Sequence, residues 1–139
     1  MKRFVYLAGP IDGITEAEAK GWRYVFIRRL KEYGIVGVSP LRCQETVLGA
    51  NERYNIFGGL GETAQSIGTK NEFDVRSCDI VLAYFPTISV GTLIEMGMAK
   101  ALNKPVVLVT EHMAALAHPL VQYCAGWTVK TLEEGMEKV

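Results

Sequence analysis

The sequence predicts an α/β protein with a five-stranded parallel sheet and helices on both faces. Short apolar segments that end at Gly or Pro alternate with longer segments in which apolar residues recur at helical spacing. Strands that alternate with helices are joined by right-handed crossovers, so the sheet is parallel and both faces are covered. The length of 139 residues suits one domain. We therefore expect a single doubly wound domain over residues 1–139.

The composition indicates a soluble globular chain. Hydrophobic residues make up 49% and charged residues 22%, and 15 Lys plus Arg balance 15 Asp plus Glu. This balance favours neither a nucleic-acid nor a membrane partner, and no apolar run is long enough to span a bilayer. The three cysteines lack metal-ligand spacing. They fit free thiols in a reducing cytoplasm, with a catalytic cysteine as the alternative.

The elements follow from their start and stop residues, taken in chain order. RFVYLAG is a strand, and the capping box Thr15-Glu16-Ala17-Glu18 opens a helix that ends at Gly34. IVGVSP is a second strand, KNEFDVRSCD a short helix and IVLAYF a third strand. A helix in TLIEMGMAKAL precedes the strand VVLV. AALAHPLVQYC supplies a short helix or turn, and GWTV supplies a fifth strand. The last helix opens at Thr131-Leu132-Glu133-Glu134, which again has the form of a capping box.

Residues 43–68 break this pattern, because they are rich in glycine and show little periodicity. A connection of this length is usually a functional lid or a disordered segment. Tyr54 and Phe57 lie near the glycines and favour a lid with an aromatic face. A tolerated surface insertion is the alternative.

The fold predicts where a ligand binds. In a doubly wound sheet, ligands lie beyond the carboxyl ends of the strands, near a switch in strand order. This rule brings together residues 9–13, 40–42, 85–91 and the region after Val109. No phosphate-binding P-loop, no dinucleotide-binding glycine motif and no metal-ligand spacing is present. The sequence therefore predicts a small-molecule site without a cofactor or a metal.

Glu95 is the unusual residue near this edge, because it lies in an otherwise apolar helix. Thr92-Leu93-Ile94-Glu95 has the form of a capping box, which would make Glu95 a structural residue. A buried carboxylate, however, carries a desolvation cost unless it is paired or used in chemistry. The local sequence leaves both interpretations open.

Three segments resemble the nucleoside 2-deoxyribosyltransferase family: VYLAGPI, FDVRSCDIVLAYF and GTLIEMGMAKALNKPVVLV. The nucleoside 5'-monophosphate N-glycosidases are relatives of that family. The resemblance spans most of the chain outside residues 43–68. It implies a flavodoxin-like sheet and a retaining exchange, in which one base leaves C1' of a 2'-deoxyribonucleoside and another replaces it. The implied partners are a deoxynucleoside, a free nucleobase and further copies of the chain, in a homodimer or larger homo-oligomer with a shared active site.

The resemblance also assigns roles to residues. Glu95 matches the nucleophile that forms a glycosyl-enzyme ester, Asp74 the residue that protonates the leaving base, and Tyr6 the hydroxyl that orients the nucleophile. Asp74 as a solvated first-turn charge and Tyr6 as a core residue are the alternatives. The expected substrate-binding residues are Gly9, Pro10, Asp12, Arg42, Ser89, Gly91, Thr92 and His118.

Ser89 departs from the transferase pattern, where an Asp that binds sugar hydroxyls is frequent; the monophosphate glycosidases carry a Ser that binds the 5'-phosphate. Ser89 with Gly91 and Thr92 can bind an anion at the helix N-terminus, or Ser89 can simply cap the helix. His118 falls where relatives supply a residue to a neighbouring subunit, and a surface histidine is the alternative. We expect a transferase acting on nucleosides, with a monophosphate N-glycosidase as the alternative and a non-catalytic nucleotide-binding module as the third reading.

Overall fold

The computed structural model describes residues 1–41, 52–53 and 64–139. Most of the expected lid, including Tyr54 and Phe57, lies outside the described residues, as do Arg42 and Cys43. The described residues form five strands and six helices: β1 Arg3–Ala8, α1 Glu16–Glu32, β2 Ile35–Val38, α2 Ala64–Ser77, β3 Ile80–Tyr84, α3 Val90–Ala101, β4 Val106–Val109, α4 Met113–Ala117, α5 Pro119–Cys124, β5 Trp127–Val129 and α6 Leu132–Lys138.

The strands form one parallel sheet in the order β2-β1-β3-β4-β5. The chain moves from β1 to β2 on one side and then crosses to β3 on the other, so the strand order switches between β1 and β3. This is the flavodoxin-like order, in which ligands bind at the β1/β3 switch. The predicted fold class is confirmed.

Alternate residues of β1 face opposite helix layers. Val5 and Leu7 pack in the cluster that contains Phe26 and Leu30 of α1. Tyr6 and Ala8 point the other way, into the cluster formed with α2, α3, α4 and α5. The period of two along a strand therefore places the Tyr6 side chain on the same side of the sheet as α3.

Two of the three expected capping boxes are helix caps. Thr15 Oγ1 accepts from the Glu18 amide at 3.2 Å, and Glu18 Oε1 accepts from the Thr15 amide at 3.2 Å. Thr131 caps α6 by accepting from the Glu134 amide at 3.1 Å. These two predictions are confirmed.

The capping-box interpretation of Thr92 and Glu95 is wrong. Helix α3 begins at Val90, and its cap is Ser89, whose Oγ accepts from the Thr92 amide at 3.3 Å. Glu95 therefore lies in the second turn, beyond the reach of an N-terminal cap. Its position in an apolar helix needs another explanation.

Helix α2 is longer than the sequence predicts. It begins at Ala64, so residues 64–68 of the expected lid are helical. Gly68 lowers the intrinsic helix propensity there, but propensity yields to tertiary packing, and α2 packs against α3 and β1. The short helix or turn expected near His118 forms α4 and α5, with Pro119 beginning α5.

Two remaining observations concern the cysteines and the length of the helices. Cys78 is buried and Cys124 partly buried, and neither forms a disulfide within the described residues. Across the described ranges, no helix is both long and apolar enough to cross a bilayer.

Candidate active site

A cavity of about 650 Å³ opens at the carboxyl end of the sheet, beside the β1/β3 switch. Its size is typical of small-molecule sites. The wall is formed by the segments after β1, β2 and β3 and by the first two turns of each of the helices α2 and α3. The described lining residues are Gly9, Pro10, Ile11, Asp12, Pro40, Leu41, Ala64, Ile67, Gly68, Lys70, Asn71, Ile88, Ser89, Val90, Gly91, Ile94 and Glu95.

Glu95 contributes a buried carboxylate to this wall. The residue is 7% exposed, and its Oε2 accepts a hydrogen bond from the hydroxyl of Tyr6, which is fully buried. Burial raises the pKa of Tyr6 above its ordinary range, and the negative charge of Glu95 raises it further. The phenol therefore stays protonated and acts as a donor, which orients the carboxylate.

The ionisation of Glu95 depends on opposing effects. Burial raises the pKa of its carboxyl to about 7. The hydrogen bond from Tyr6 and the positive charges of Arg23 and Lys70 lower it, while the charge of Asp74 raises it. Because Glu95 lies in the second turn of α3, the helix dipole, which acts mainly within the first turn, is not its main support. Buried donors and cations keep part of the Glu95 population ionised near pH 7.

Arg23 is a buried cation that the sequence analysis did not identify. It is 1% exposed, and its guanidinium donates to the carbonyls of Leu7 at 3.1 Å, Gly9 at 2.9 Å and Ala19 at 2.5 Å. A Cβ at position 9 would lie 2.7 Å from the Trp22 ring, so only glycine allows this close approach. Arg23 thereby ties the cavity-lining loop after β1 to helix α1.

Asp74 lies behind the cavity wall and is 2% exposed. Lys70 Nζ is 3.9 Å from Asp74 Oδ2 and donates to the Pro40 carbonyl at 2.5 Å. Within the described residues, Lys70 lines the cavity and Asp74 does not. The alternative interpretation of Asp74 as a solvated first-turn charge is therefore wrong, and Lys70 is the member of the pair that lines the cavity. The spacing of four residues on one helix was the sequence signal for Lys70.

The structure brings most of the expected binding residues together. Gly9, Pro10, Asp12, Ser89 and Gly91 line the cavity. Thr92 is fully buried beneath it, and its hydroxyl lies 2.7 Å from Ser89 Oγ. Arg42 is outside the described residues.

His118 lies away from this cavity. It is exposed and caps α5, with Nδ1 accepting from the Leu120 amide at 3.2 Å. In the part of the chain that the structure describes, no group of three or more His, Cys, Asp or Glu side chains is placed to hold a metal ion.

Several solved structures share this fold. A 2-deoxyribosyltransferase from Bacillus psychrosaccharolyticus is 19% identical, with a TM-score of 0.68 over 96% of this chain and 90% of its own. A CMP N-glycosidase from Clostridium botulinum is 20% identical, with a TM-score of 0.59 over 98% and 96%. A molybdenum cofactor binding protein from Rippkaea orientalis is 22% identical, with a TM-score of 0.64 over 99% and 95%. At these identities the likeness shows the fold alone.

The lengths of the similar proteins differ. The chain spans 65% of the length of a 2-desoxiribosyltransferase from Leishmania mexicana, which is 19% identical, with a TM-score of 0.57 over 79% of this chain. Among curated proteins, none matches this sequence.

The family is shown by a match along almost the entire chain. The model of the family described as nucleoside 2-deoxyribosyltransferase matches residues 5–137, which include most of β1, the cavity wall and all of α3. The chain therefore belongs to the nucleoside 2-deoxyribosyltransferase family.

Proposed function

We propose that the protein exchanges the base of a 2'-deoxyribonucleoside through a deoxyribosyl ester on Glu95. The observation that carries this proposal is the buried carboxylate of Glu95, held by the Tyr6 hydroxyl at the wall of the cavity. A buried carboxylate with a raised pKa in a cleft is typical of a reactive group. We infer a transfer reaction because the chain belongs to the nucleoside 2-deoxyribosyltransferase family.

In the first step, a Glu95 oxygen attacks C1' while the bond from C1' to the base nitrogen breaks. The electron pair of that bond moves to the base, and the sugar becomes an ester of Glu95. Tyr6 holds the carboxylate in position during the attack, and only the ionised carboxylate is nucleophilic. Because the pKa of Glu95 is about 7, a substantial fraction is ionised at neutral pH.

In the second step, a new base attacks C1' from the face that the first base left, while the bond from C1' to the Glu95 oxygen breaks and its electron pair returns to the carboxylate. Two inversions give net retention. Water would give free deoxyribose instead, so transfer needs a cavity that disfavours water. Four isoleucines on the wall, Ile11, Ile67, Ile88 and Ile94, provide apolar surface for this purpose.

A monophosphate N-glycosidase is the second candidate, and Ser89 favours it. Ser89 and Gly91 line the cavity at the N-terminus of α3, where an anion is stabilised. However, the Thr92 amide and hydroxyl already bond Ser89, which lowers the number of donors left for a phosphate. The third hypothesis is a non-catalytic nucleotide-binding module. Such a module would not require the buried, hydrogen-bonded pair of Tyr6 and Glu95.

An exposed apolar face supports assembly of the chain into a homodimer or larger homo-oligomer. Ile88, Val90 and Ile94 at the rim of the cavity are more than half exposed, as are Leu120 and Tyr123 on α5, which packs on α3. Exposed apolar side chains on two elements that pack together are typical of protein interfaces. His118 lies close to Leu120, so a second copy that binds this face would lie close to His118. We therefore propose that His118 acts at the partner's cavity.

Glu95→Ala should abolish base exchange while leaving cooperative unfolding intact, because the variant removes the nucleophile. We expect a loss of at least about 10³-fold in the rate of base exchange between a deoxynucleoside and a free base, measured by chromatography. A fluorinated deoxynucleoside should attach covalently to Glu95 in the wild type, as read by mass spectrometry. Glu137→Ala, on the exposed face of α6, is the control. Near-normal exchange by Glu95→Ala would refute the mechanism.

Glu95→Gln should stabilise the protein increasingly as pH rises. The pKa of Glu95 goes from 4.5 in the unfolded chain to about 7 in the folded state. The stability that its neutral form contributes is full below pH 4.5 and is lost as pH rises through 7. The free energy of unfolding of the variant should therefore exceed that of the wild type by a margin that grows by about 3 kcal/mol toward pH 8.

The control for this pH profile is Glu18→Gln, whose effect should have the opposite sign. Hydrogen bonds from Thr15 lower the pKa of Glu18, so its contribution is present above the unfolded value and is lost as pH falls. Denaturant unfolding from pH 4 to 8 measures both variants. A constant difference between Glu95→Gln and the wild type would contradict the burial of an ionising carboxylate.

Ser89→Asp should widen a preference for nucleosides over 5'-monophosphates. We expect the wild type to have the higher kcat/KM for the deoxynucleoside. The variant should lose about ten- to a hundred-fold more on the monophosphate, since a carboxylate repels phosphate. Asp also caps helices, so stability should change little, and Ser89→Ala separates loss of the hydroxyl from added charge. A wild-type preference for the monophosphate would favour the glycosidase.

Leu120→Asp should convert the oligomer to monomers and reduce exchange activity, because a charge in an apolar interface is desolvated without a partner. Light scattering coupled to size-exclusion chromatography gives the mass in solution. Tyr33→Asp, a change at an exposed aromatic residue after α1, is the matched control and should leave the mass unchanged. A monomeric wild type with full activity would overturn the proposed shared site.

A further inference from the structure

Lys70 lines the cavity on the side of β2. Its side chain is 25% exposed, whereas that of Asp74, its ion-pair partner, is 2% exposed. The ammonium is held by the Pro40 carbonyl at 2.5 Å and by the Asp74 carboxylate, with Nζ to Oδ2 at 3.9 Å. Two fixed partners therefore restrict a flexible side chain to one region of the cavity wall.

Strand order places Lys70 and Ser89 on opposite sides of the Tyr6–Glu95 pair. Pro40, which holds Lys70, follows β2, and Ser89 follows β3, while Tyr6 lies on β1 between these two strands. A nucleoside with C1' at Glu95 extends its 5' end to one side and its base to the other. With the 5' end at Ser89, which is the arrangement that the Ser89→Asp prediction tests, the base lies on the side of Lys70.

We propose that Lys70 is the catalytic residue that contacts the departing base, and that Asp74 acts through it as a positioning residue. This inference rests on the proposed function, since it needs a base that leaves C1'. The ammonium donates a hydrogen bond to an acceptor of the base, a carbonyl oxygen or a ring nitrogen. As the bond from C1' to nitrogen breaks, its electron pair moves onto the base, and the hydrogen-bonded proton moves from Nζ to the base.

The reverse transfer completes the cycle. The incoming base gives its proton to the neutral amine of Lys70 as its nitrogen bonds C1', and the Glu95 ester is released as a carboxylate. Atoms and charge then balance without a cofactor. Asp74 is buried behind Lys70, and its carboxylate holds the amine in place through both steps.

The test is the dependence of base release on the leaving ability of the base. Single-turnover release is measured for deoxynucleosides whose bases differ in acidity. Lys70→Met should lose about 10²-fold or more with poorly leaving bases and much less with electron-poor ones, as expected when a proton donor is removed. Lys70→Arg keeps the charge but not a transferable proton, and should show the same trend with a smaller loss.

Lys20→Met is the matched control. Lys20 forms the same kind of ion pair with a carboxylate one turn away, Glu16, at 3.5 Å, with 31% of its side chain exposed. It does not line the cavity among the described residues, so its replacement should leave the dependence on the base unchanged. Thermal unfolding of each variant shows that the fold is retained.

Asp74→Asn separates the two members of the pair. If Asp74 acts through Lys70, the substitution should slow release in the wild type and add little in Lys70→Met, because coupled residues are not additive. An equal loss across all bases in Lys70→Met and Lys70→Arg, or a full additional loss from Asp74→Asn, would overturn the assignment. A wild type that releases no base would reject the proposed function instead.

Discussion

The site depends on the hydrogen bond from the Tyr6 hydroxyl to the Glu95 carboxylate, which joins β1 to α3. Removing a carboxylate from water is costly, and one neutral donor offsets only part of that cost. Tyr6 can serve because burial keeps its phenol protonated. The pair therefore requires that β1 and α3 remain packed, which links the geometry of the site to the integrity of the core.

The remaining cost of burying charge is distributed over neighbouring groups. Arg23 and Lys70 lower the pKa of Glu95, and Asp74 raises it. Each cation also has a structural task, since Arg23 donates to the carbonyls of Leu7 in β1 and Gly9 after it, and Lys70 donates to that of Pro40. The same side chains thus shape the cavity and determine how much of Glu95 is ionised at neutral pH.

Specificity in this fold is expected to reside at the two ends of the cavity. At one end, Ser89 caps α3 and lines the wall; at the other, Lys70 and Asn71 of α2 face the same space. The Tyr6–Glu95 pair lies between these two ends. Relatives with different activities can therefore share the fold, because the ends of the cavity change independently of the sheet.

The sequence by itself determined the sheet, most of its helices and the caps at Thr15 and Thr131, because these follow from local periodicity and short motifs. Its resemblance to a family, and not periodicity, pointed to Tyr6 beside Glu95. Only the tertiary structure decided that Ser89 rather than Thr92 caps α3, that α2 begins at Ala64, and that Asp74 is buried behind Lys70. It also located Arg23 beneath the loop after β1. These features depend on which distant groups share a desolvated region, and no local pattern encodes the distance between such groups.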